Sequence, residues 1–230
     1  MRFFADGPAI PDELLVARDD GRVIFFCGAG VSRARTGLPD FFGLAEAVIC
    51  ELGVHSQSAV HRILAEARSI EKRTGIAGLI SADKLFGFLE QDFSRKDIEA
   101  AVAKSLKPKR GADTSAHRML VDLATAPNGN VQLVTTNFDR LFNDCRATIG
   151  STLFPNLPDP SRQGALNGIV YLHGRATEDY QKAENDGFVL SSASFGRAYL
   201  SDGWAATFFK EIIKRFVVVF VGRRDYRGIS

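Results

Sequence analysis

The chain has 230 residues, 45% of them apolar, and its 29 basic residues nearly balance 27 acidic ones, leaving a net charge of +2. That length predicts one α/β domain with a sizeable core, and the charge balance gives no electrostatic case for a nucleic-acid partner. Residues 216–221 form the longest apolar run, far short of the roughly 20 residues of a membrane helix, and residues 1–10 lack the apolar core of an export signal, so the expectation is a soluble, cytoplasmic protein with no membrane partner.

Pro11, Asp12 and Glu13 open a first helix, with proline early and acids in the first turn. The uninterrupted apolar run Val23, Ile24, Phe25, Phe26 reads as a strand buried on both faces. Helical spacing follows at 42–52, 59–73, 82–93 and 96–106, with no convincing strand between His55 and Leu106. This predicts a helical insertion over about 53–112. Another helix spans 114–124, capped by Asp113 or Thr114. The apolar run 131–134 is a second strand, and a helix is expected over 138–147. Three prolines mark 155–164 as a loop. Strands are expected at 168–172 and 188–190. A helix capped by Ser201 and Asp202 should run to about Arg215, and 216–220 reads as a central strand that closes the sheet. Strands alternating with helices predict a three-layer, Rossmann-like α/β fold with a mostly parallel sheet.

Cys27, Cys50 and Cys145 are widely separated, with no Cys-x-x-Cys pair. A structural zinc site of the usual spacing is excluded, and an odd count argues against a disulfide framework. Cys27 reads as a small apolar core residue. The four histidines show no metal-ligand spacing. Lys107, Pro108, Lys109 and Arg110 read as a solvated loop.

Three strand ends carry the chemistry. After the first strand comes Cys27-Gly28-Ala29-Gly30-Val31-Ser32, then Gly37-Leu38-Pro39-Asp40-Phe41. Gly28 and Gly30 permit a tight turn and close approach of a ligand, and amide N–H groups in such a turn attract phosphate. The ordinary dinucleotide fingerprint needs a third glycine where Arg33 stands, so that fingerprint fails. After the second strand comes Thr135-Thr136-Asn137-Phe138-Asp139, and after the third Leu172-His173-Gly174. Open α/β sheets bind ligands beyond the carboxyl ends of their strands, so the three segments should converge on one cleft. His173 suits general-base work, with Gly174 giving its ring little steric cover; its plainer role is a strand-end hydrogen bond to backbone. Asn137 and Asp139 have plainer roles as a helix cap and a first-turn acid. Ser32 reads as a phosphate contact, a helix cap, or both. Phe41 and Phe42 read equally as core. His117, beside Met119 and Leu120, is read as packing or as capping an adjacent loop, and His55 and His61 have no partner motif.

The three segments, in this order, resemble the signatures of the sirtuin (silent information regulator) superfamily, and the resemblance covers the chain from about Pro11 to Gly222. It implies a single NAD-binding domain over 1–230, with NAD as substrate. Gly28, Ala29, Gly30, Val31, Ser32 and Gly222 would seat the dinucleotide. Pro39, Asp40 and Phe41 would form the cofactor loop, with the aromatic shielding the sugar. Asn137 would position the ribose or the attacking oxygen, Asp139 would hold the nicotinamide carboxamide, and Asn137 with His173 would be catalytic. Two departures argue against protein deacylation: the four-cysteine zinc module is missing, so no zinc is expected, and Phe42 stands where deacylases usually carry arginine. The chain looks more like the zinc-free bacterial branch that hydrolyses NAD with water, often in antiphage defence.

The expected activity is therefore an NAD glycohydrolase releasing nicotinamide and ADP-ribose. A deacylase or ADP-ribosyltransferase and a non-enzymatic NAD or ADP-ribose sensor are the alternatives. Val221 and Gly222 begin a nucleotide loop that stops soon afterwards at 223–230. The expectation is a truncated domain, or a natural chain that continues into C-terminal or partner sensor domains, with homo-oligomers left open.

Overall fold

The structure, a computed structural model, describes residues 9–75, 79–185 and 187–222. The expected loop continuation at 223–230 and most of the 1–10 segment lie outside the described residues.

Five strands form one parallel sheet: β1 (Val23–Cys27), β2 (Gln132–Thr135), β3 (Ser151–Leu153), β4 (Gly168–Tyr171) and β5 (Val217–Val221). Their order is β3-β4-β2-β1-β5. In chain order the helices are α1 (Asp12–Asp19), α2 (Gly30–Thr36), α3 (Phe41–Glu51), α4 (Ala59–Thr74), α5 (Ala82–Asp92), α6 (Arg95–Ser105), α7 (Ser115–Leu123), α8 (Leu141–Cys145), α9 (Ser192–Gly196) and α10 (Trp204–Ile213). A π-helical turn, Arg197–Ser201, joins α9 to the approach of α10.

The two-residue period of the strands divides the core into layers. Cys27, Leu133, Ile169 and Tyr171 face α7, which offers Leu120 and Val121. Ile24, Val134, Val170 and Leu172 face α10, which offers Ala205, Phe208 and Ile212. With helices on both faces, apolar runs rather than polar–apolar alternation are what the central strands require. Helices α3 to α6 pack around a third core, centred on Val48, Leu85, Phe86, Leu89 and Val102. The α/β, Rossmann-like expectation is met.

From β1 the strands β2, β4 and β3 extend the sheet in one direction, and β5 pairs on the opposite side of β1. The order therefore reverses between β1 and β5, which opens a crevice at their carboxyl ends. There the turn after β1 is locked against Gly222: Gly28 N–H donates to Val221 O and Gly30 N–H to Gly222 O, each at 2.9 Å. A Cβ on Gly30 would lie 2.4 Å from Gly222 O, and Gly222 itself has φ +69°. Backbone meets backbone here, so no side chain can yield. Gly30→Ala is expected to cost about 1–3 kcal/mol by overpacking, lowering the melting temperature by roughly 2–12 °C. A thermal melt equal to wild type would show that the turn tolerates a side chain.

Four expectations need correction. Residues 188–190 run extended but outside the sheet, with Val189 N–H donating to His173 O at 2.9 Å. Their apolarity arises because the segment is wedged between two cores, Phe188 and Leu190 entering the helical one and Val189 the α10 face. Strand β5 is an edge rather than a central strand among the described residues, and its Val217 and Phe220 are exposed. Part of its apolarity goes into an aromatic cluster of Phe220 with Phe26 and Phe209. The helix expected from Ser201 begins later, at Trp204, behind the left-handed Gly203. The helix expected over 138–147 shrinks to α8, because Asp139 Oδ1 accepts from Leu141 N–H in a local turn that delays the helix. The short strand β3 was not expected from the sequence at all.

Candidate active site

The carboxyl ends of β1, β2 and β4 are neighbours in the sheet, so the three segments meet. Two bonds brace the junction: Thr135 Oγ1 donates to Cys27 O at 3.0 Å and accepts from Asn137 N–H at 3.1 Å. Beyond it lies a cavity of about 200 Å³. Ser32, Asn137, Asp139 and His173 supply its polar wall. Ala29, Pro39, Asp40 and Phe41 also line it. A second cavity of about 360 Å³ shares Thr136 and His173 with the first and reaches Gly28, Phe209 and Phe220.

Ser32, on the first turn of α2, is the hub of the polar wall. Its Oγ donates to Asp139 Oδ2 at 2.8 Å, accepts from Asn137 Nδ2 at 3.1 Å and lies 3.1 Å from His117 Nε2. All four side chains are buried. Burial raises the Asp139 carboxyl to about 6, partly countered by the Ser32 hydrogen bond. Burial lowers His117 to about 4, so its ring is neutral at pH 7. Asn137 Oδ1 is buried without a hydrogen-bond partner. An orphaned acceptor costs about 1–3 kcal/mol.

His173 follows β4. Its Nε2 lies 2.6 Å from the Tyr199 hydroxyl, and its ring meets Phe195 edge-on at 5.2 Å. Tyr199 sits on the π-helical turn, a backbone irregularity frequent at functional sites. Burial lowers His173 to about 4 and raises Tyr199 to about 12, so both are neutral at pH 7. The expectation of an open ring beside Gly174 fails: His173 is covered by Phe195 and Tyr199. Gly174 serves the backbone instead, with φ +93° and a Cβ position 2.2 Å from Gly187 O.

Other assigned residues have local duties. Asp40 caps α3 through Gly43 N–H and pairs with Arg33 at 2.8 Å. Phe41 stacks on Phe86 at 5.5 Å while still facing the cavity, so it is partly core and partly wall. Val31 is buried in the sheet core. Gly30, Val31 and Gly222 line neither cavity, and the Gly28 and Gly30 amides expected to attract phosphate are bonded within the protein. Cys27 is buried as expected, its thiol pushed up to about 12.

Sequence reasoning did not place Tyr199 or Phe195 at the site and read His117 as packing. One signal was available for His117: it shares the apolar face of α7 with Leu120 and Val121. A polar ring at such a position needs a buried partner. Tyr199 gave no comparable sign.

Open parallel sheets with a cleft at a strand-order reversal are nucleotide-binding scaffolds of many kinds. Comparison with known proteins narrows this. Residues 131–224 match the family described as SIR2-like domain, which supports the sirtuin-like superfamily. The match spans the Asn137 and His173 segments, while Gly28 to Phe41 lie outside it. The chain is also 31% identical over 231 residues to the uncharacterized protein y4cA of Sinorhizobium fredii (strain NBRC 101917 / NGR234). That alignment covers 96% of this chain but only 18% of the relative's length. Among the described residues no helix is long and apolar enough to cross a membrane, and no three His, Cys, Asp or Glu side chains are grouped to hold a metal ion.

Proposed function

We propose that this chain is an NAD glycohydrolase, cleaving the bond between nicotinamide and ribose with water. The observation that carries the reading is one cavity walled by Asn137, Asp139 and His173. The family match adds support for NAD-related chemistry.

Nicotinamide leaves NAD as a neutral molecule, and the sugar passes through an oxocarbenium-like state, as in other glycosyl transfers. The protein must therefore hold the dinucleotide, orient the departing ring and guide water. Asp139 uses one lone pair on each oxygen, for Ser32 and Leu141; those remaining can accept the nicotinamide carboxamide N–H. Asn137 Oδ1 accepts from water or a ribose hydroxyl. His173, neutral at pH 7, takes the proton of the attacking water. Ala29, Pro39, Asp40 and Phe41 shape the rest of the cavity, and Gly28 the second one, where the remainder of the dinucleotide has room. Gly30, Val31 and Gly222 act by fixing the turn. A role as an antiphage effector rests on the family resemblance.

The test is incubation of the protein with NAD, following free nicotinamide and ADP-ribose. Release with water as sole acceptor supports the reading. Release only with an acyl-peptide or other acceptor identifies a transferase, and tight NAD binding without release identifies a sensor. Tyr199→Phe removes the hydroxyl on His173 and leaves the ring in place. It is expected to lower turnover about tenfold, the loss of one charge-neutral hydrogen bond worth about 1.4 kcal/mol, with a displaced pH–rate profile. An unchanged rate and profile would remove Tyr199 from the mechanism.

A further inference from the structure

His173, Phe195 and Tyr199 pack as a triangle of rings. Phe195 stacks on Tyr199 with centroids 6.1 Å apart, and the imidazole meets the two edge-on at 5.2 and 5.8 Å. Held this way, the imidazole keeps Nε2 on the Tyr199 hydroxyl at 2.6 Å. Tyr199 lines the second cavity and not the first, while His173 lines both. The Nε2 edge therefore belongs to the second cavity, and Nδ1 is the nitrogen left for the first. Among the described residues Nδ1 has no hydrogen-bond partner, and unlike Nδ1 of His117 it is not closed off by packing.

A neutral imidazole carries one N–H, and the bond made by one nitrogen decides the state of the other. Two arrangements are open to the pair. If Tyr199 donates to Nε2, the ring proton sits on Nδ1, where no described residue accepts it, in a side chain that is buried. If Nε2–H donates to the Tyr199 oxygen, the ring N–H is paired and Nδ1 is a bare lone pair. The proton left over is then the tyrosine's own, on a half-buried ring facing the second cavity, where water or a bound ligand can receive it. An unpaired donor costs more in a buried group than in a half-buried one, so the second arrangement is favoured.

We propose that Tyr199 is a positioning residue that accepts the Nε2 proton of His173 and so makes Nδ1 the atom that receives a proton in the first cavity. The group met there is a hydroxyl donor, water or a ribose hydroxyl. In the NAD-hydrolase reading, on which the kinetic consequence rests, the water oxygen bonds to the sugar carbon. Nicotinamide leaves with the electron pair of the broken C–N bond, and the water proton passes to Nδ1. The Tyr199 oxygen goes on accepting from Nε2–H while the ring is cationic. The proton arrangement itself does not depend on that reading.

Nitrogen-15 NMR of the histidine rings in the wild-type protein decides the arrangement without any turnover, with His173 assigned by the signal lost in His173→Asn. The expected result near pH 7 is a neutral His173 protonated on Nε2, its N–H proton signal sharp because it is hydrogen-bonded. Tyr199→Phe keeps the ring packing and loses the acceptor. In that variant the Nε2–H signal is expected to broaden or vanish and the Nδ1-protonated population to grow. An Nδ1-protonated or cationic His173 in the wild type overturns the proposal, and an unchanged Nε2–H signal in Tyr199→Phe overturns the part given to Tyr199. With NAD, Tyr199→Phe should lower kcat for nicotinamide release about tenfold and change KM little. An unchanged kcat beside an altered ring signal overturns the kinetic role. Absence of NAD turnover in the wild type sinks the hydrolase reading and leaves the NMR result to decide this one.

Discussion

Asn137→Ala is expected to slow nicotinamide release from NAD by about 100- to 1,000-fold, the loss that follows removal of one preorganised polar group aimed at the reacting centre. His173→Ala should lower it by about 100- to 10,000-fold, the usual contribution of a general base. The two losses should be far from additive, because both groups act on the same water or hydroxyl and each is useless without the other. Stability makes the Asn137 case informative. The Asn137 nitrogen donates to Ser32, so truncation removes one hydrogen bond, but it also removes a buried oxygen with no partner. A made bond contributes about 1 kcal/mol and an orphaned acceptor costs about 1–3 kcal/mol. The variant should therefore melt at or above the wild-type temperature while losing its activity. Initial rates of nicotinamide release, paired with thermal melts, check both halves. Wild-type rates in Asn137→Ala would remove the carboxamide from the chemistry, and a large fall in melting temperature would show that its oxygen has a partner in the folded protein.

That opposition between activity and stability explains what the sequence could and could not reveal. Residues dictated by backbone and burial were legible. The apolar run 23–26 has to be a two-sided strand, Pro11 with the acids Asp12 and Glu13 opens α1, and Thr114 starts α7. Strand ends were legible too, so Asn137 and His173 could be placed near one another from topology alone. The partners that tune them were not. Ser32 meets His117 across 85 positions and Asn137 across 105. No local periodicity encodes such distances. Tyr199 depends on a π-helical turn, and its neighbours in sequence, Ala198 and Leu200, give no reason to expect one. The edge position of β5 was misread because an uninterrupted apolar run ordinarily means two covered faces. Here Val217 and Phe220 remain exposed on a strand whose only partner among the described residues is β1.

The buried ionisable groups of the site also predict an acid-labile fold, and the direction follows from linkage. His117 and His173 each fall from 6.5 to about 4 on burial, so the folded state resists protonation that the unfolded chain accepts. Stability is full above pH 6.5 and drains away as the pH falls toward 4. Asp139 runs the other way. Its folded value of about 6 lies above the ordinary 3.8, so the folded state takes up its proton first, and this group favours folding as the pH falls through 6. Between pH 7 and 5 each histidine costs about 2 kcal/mol, and Asp139 offsets slightly more than 1 kcal/mol. The net expectation is a loss of about 2 kcal/mol, a large share of the margin of a typical domain. Stopping at pH 5 keeps the lowered carboxylates, such as Asp159 and Glu211, ionised throughout. Asp139→Asn isolates the terms. It retains an acceptor for Leu141 N–H, abolishes the opposing proton uptake and should steepen the loss to about 4 kcal/mol over the same interval. It should also stabilise the protein at pH 8, where the wild type must bury a carboxylate, while depriving the site of its anionic acceptor. Urea unfolding of both proteins at pH 5, 7 and 8 measures all three effects. Equal slopes for the two proteins would mean that Asp139 is ionised throughout this range. A flat wild-type profile would mean that burial does not hold both histidines below their ordinary value.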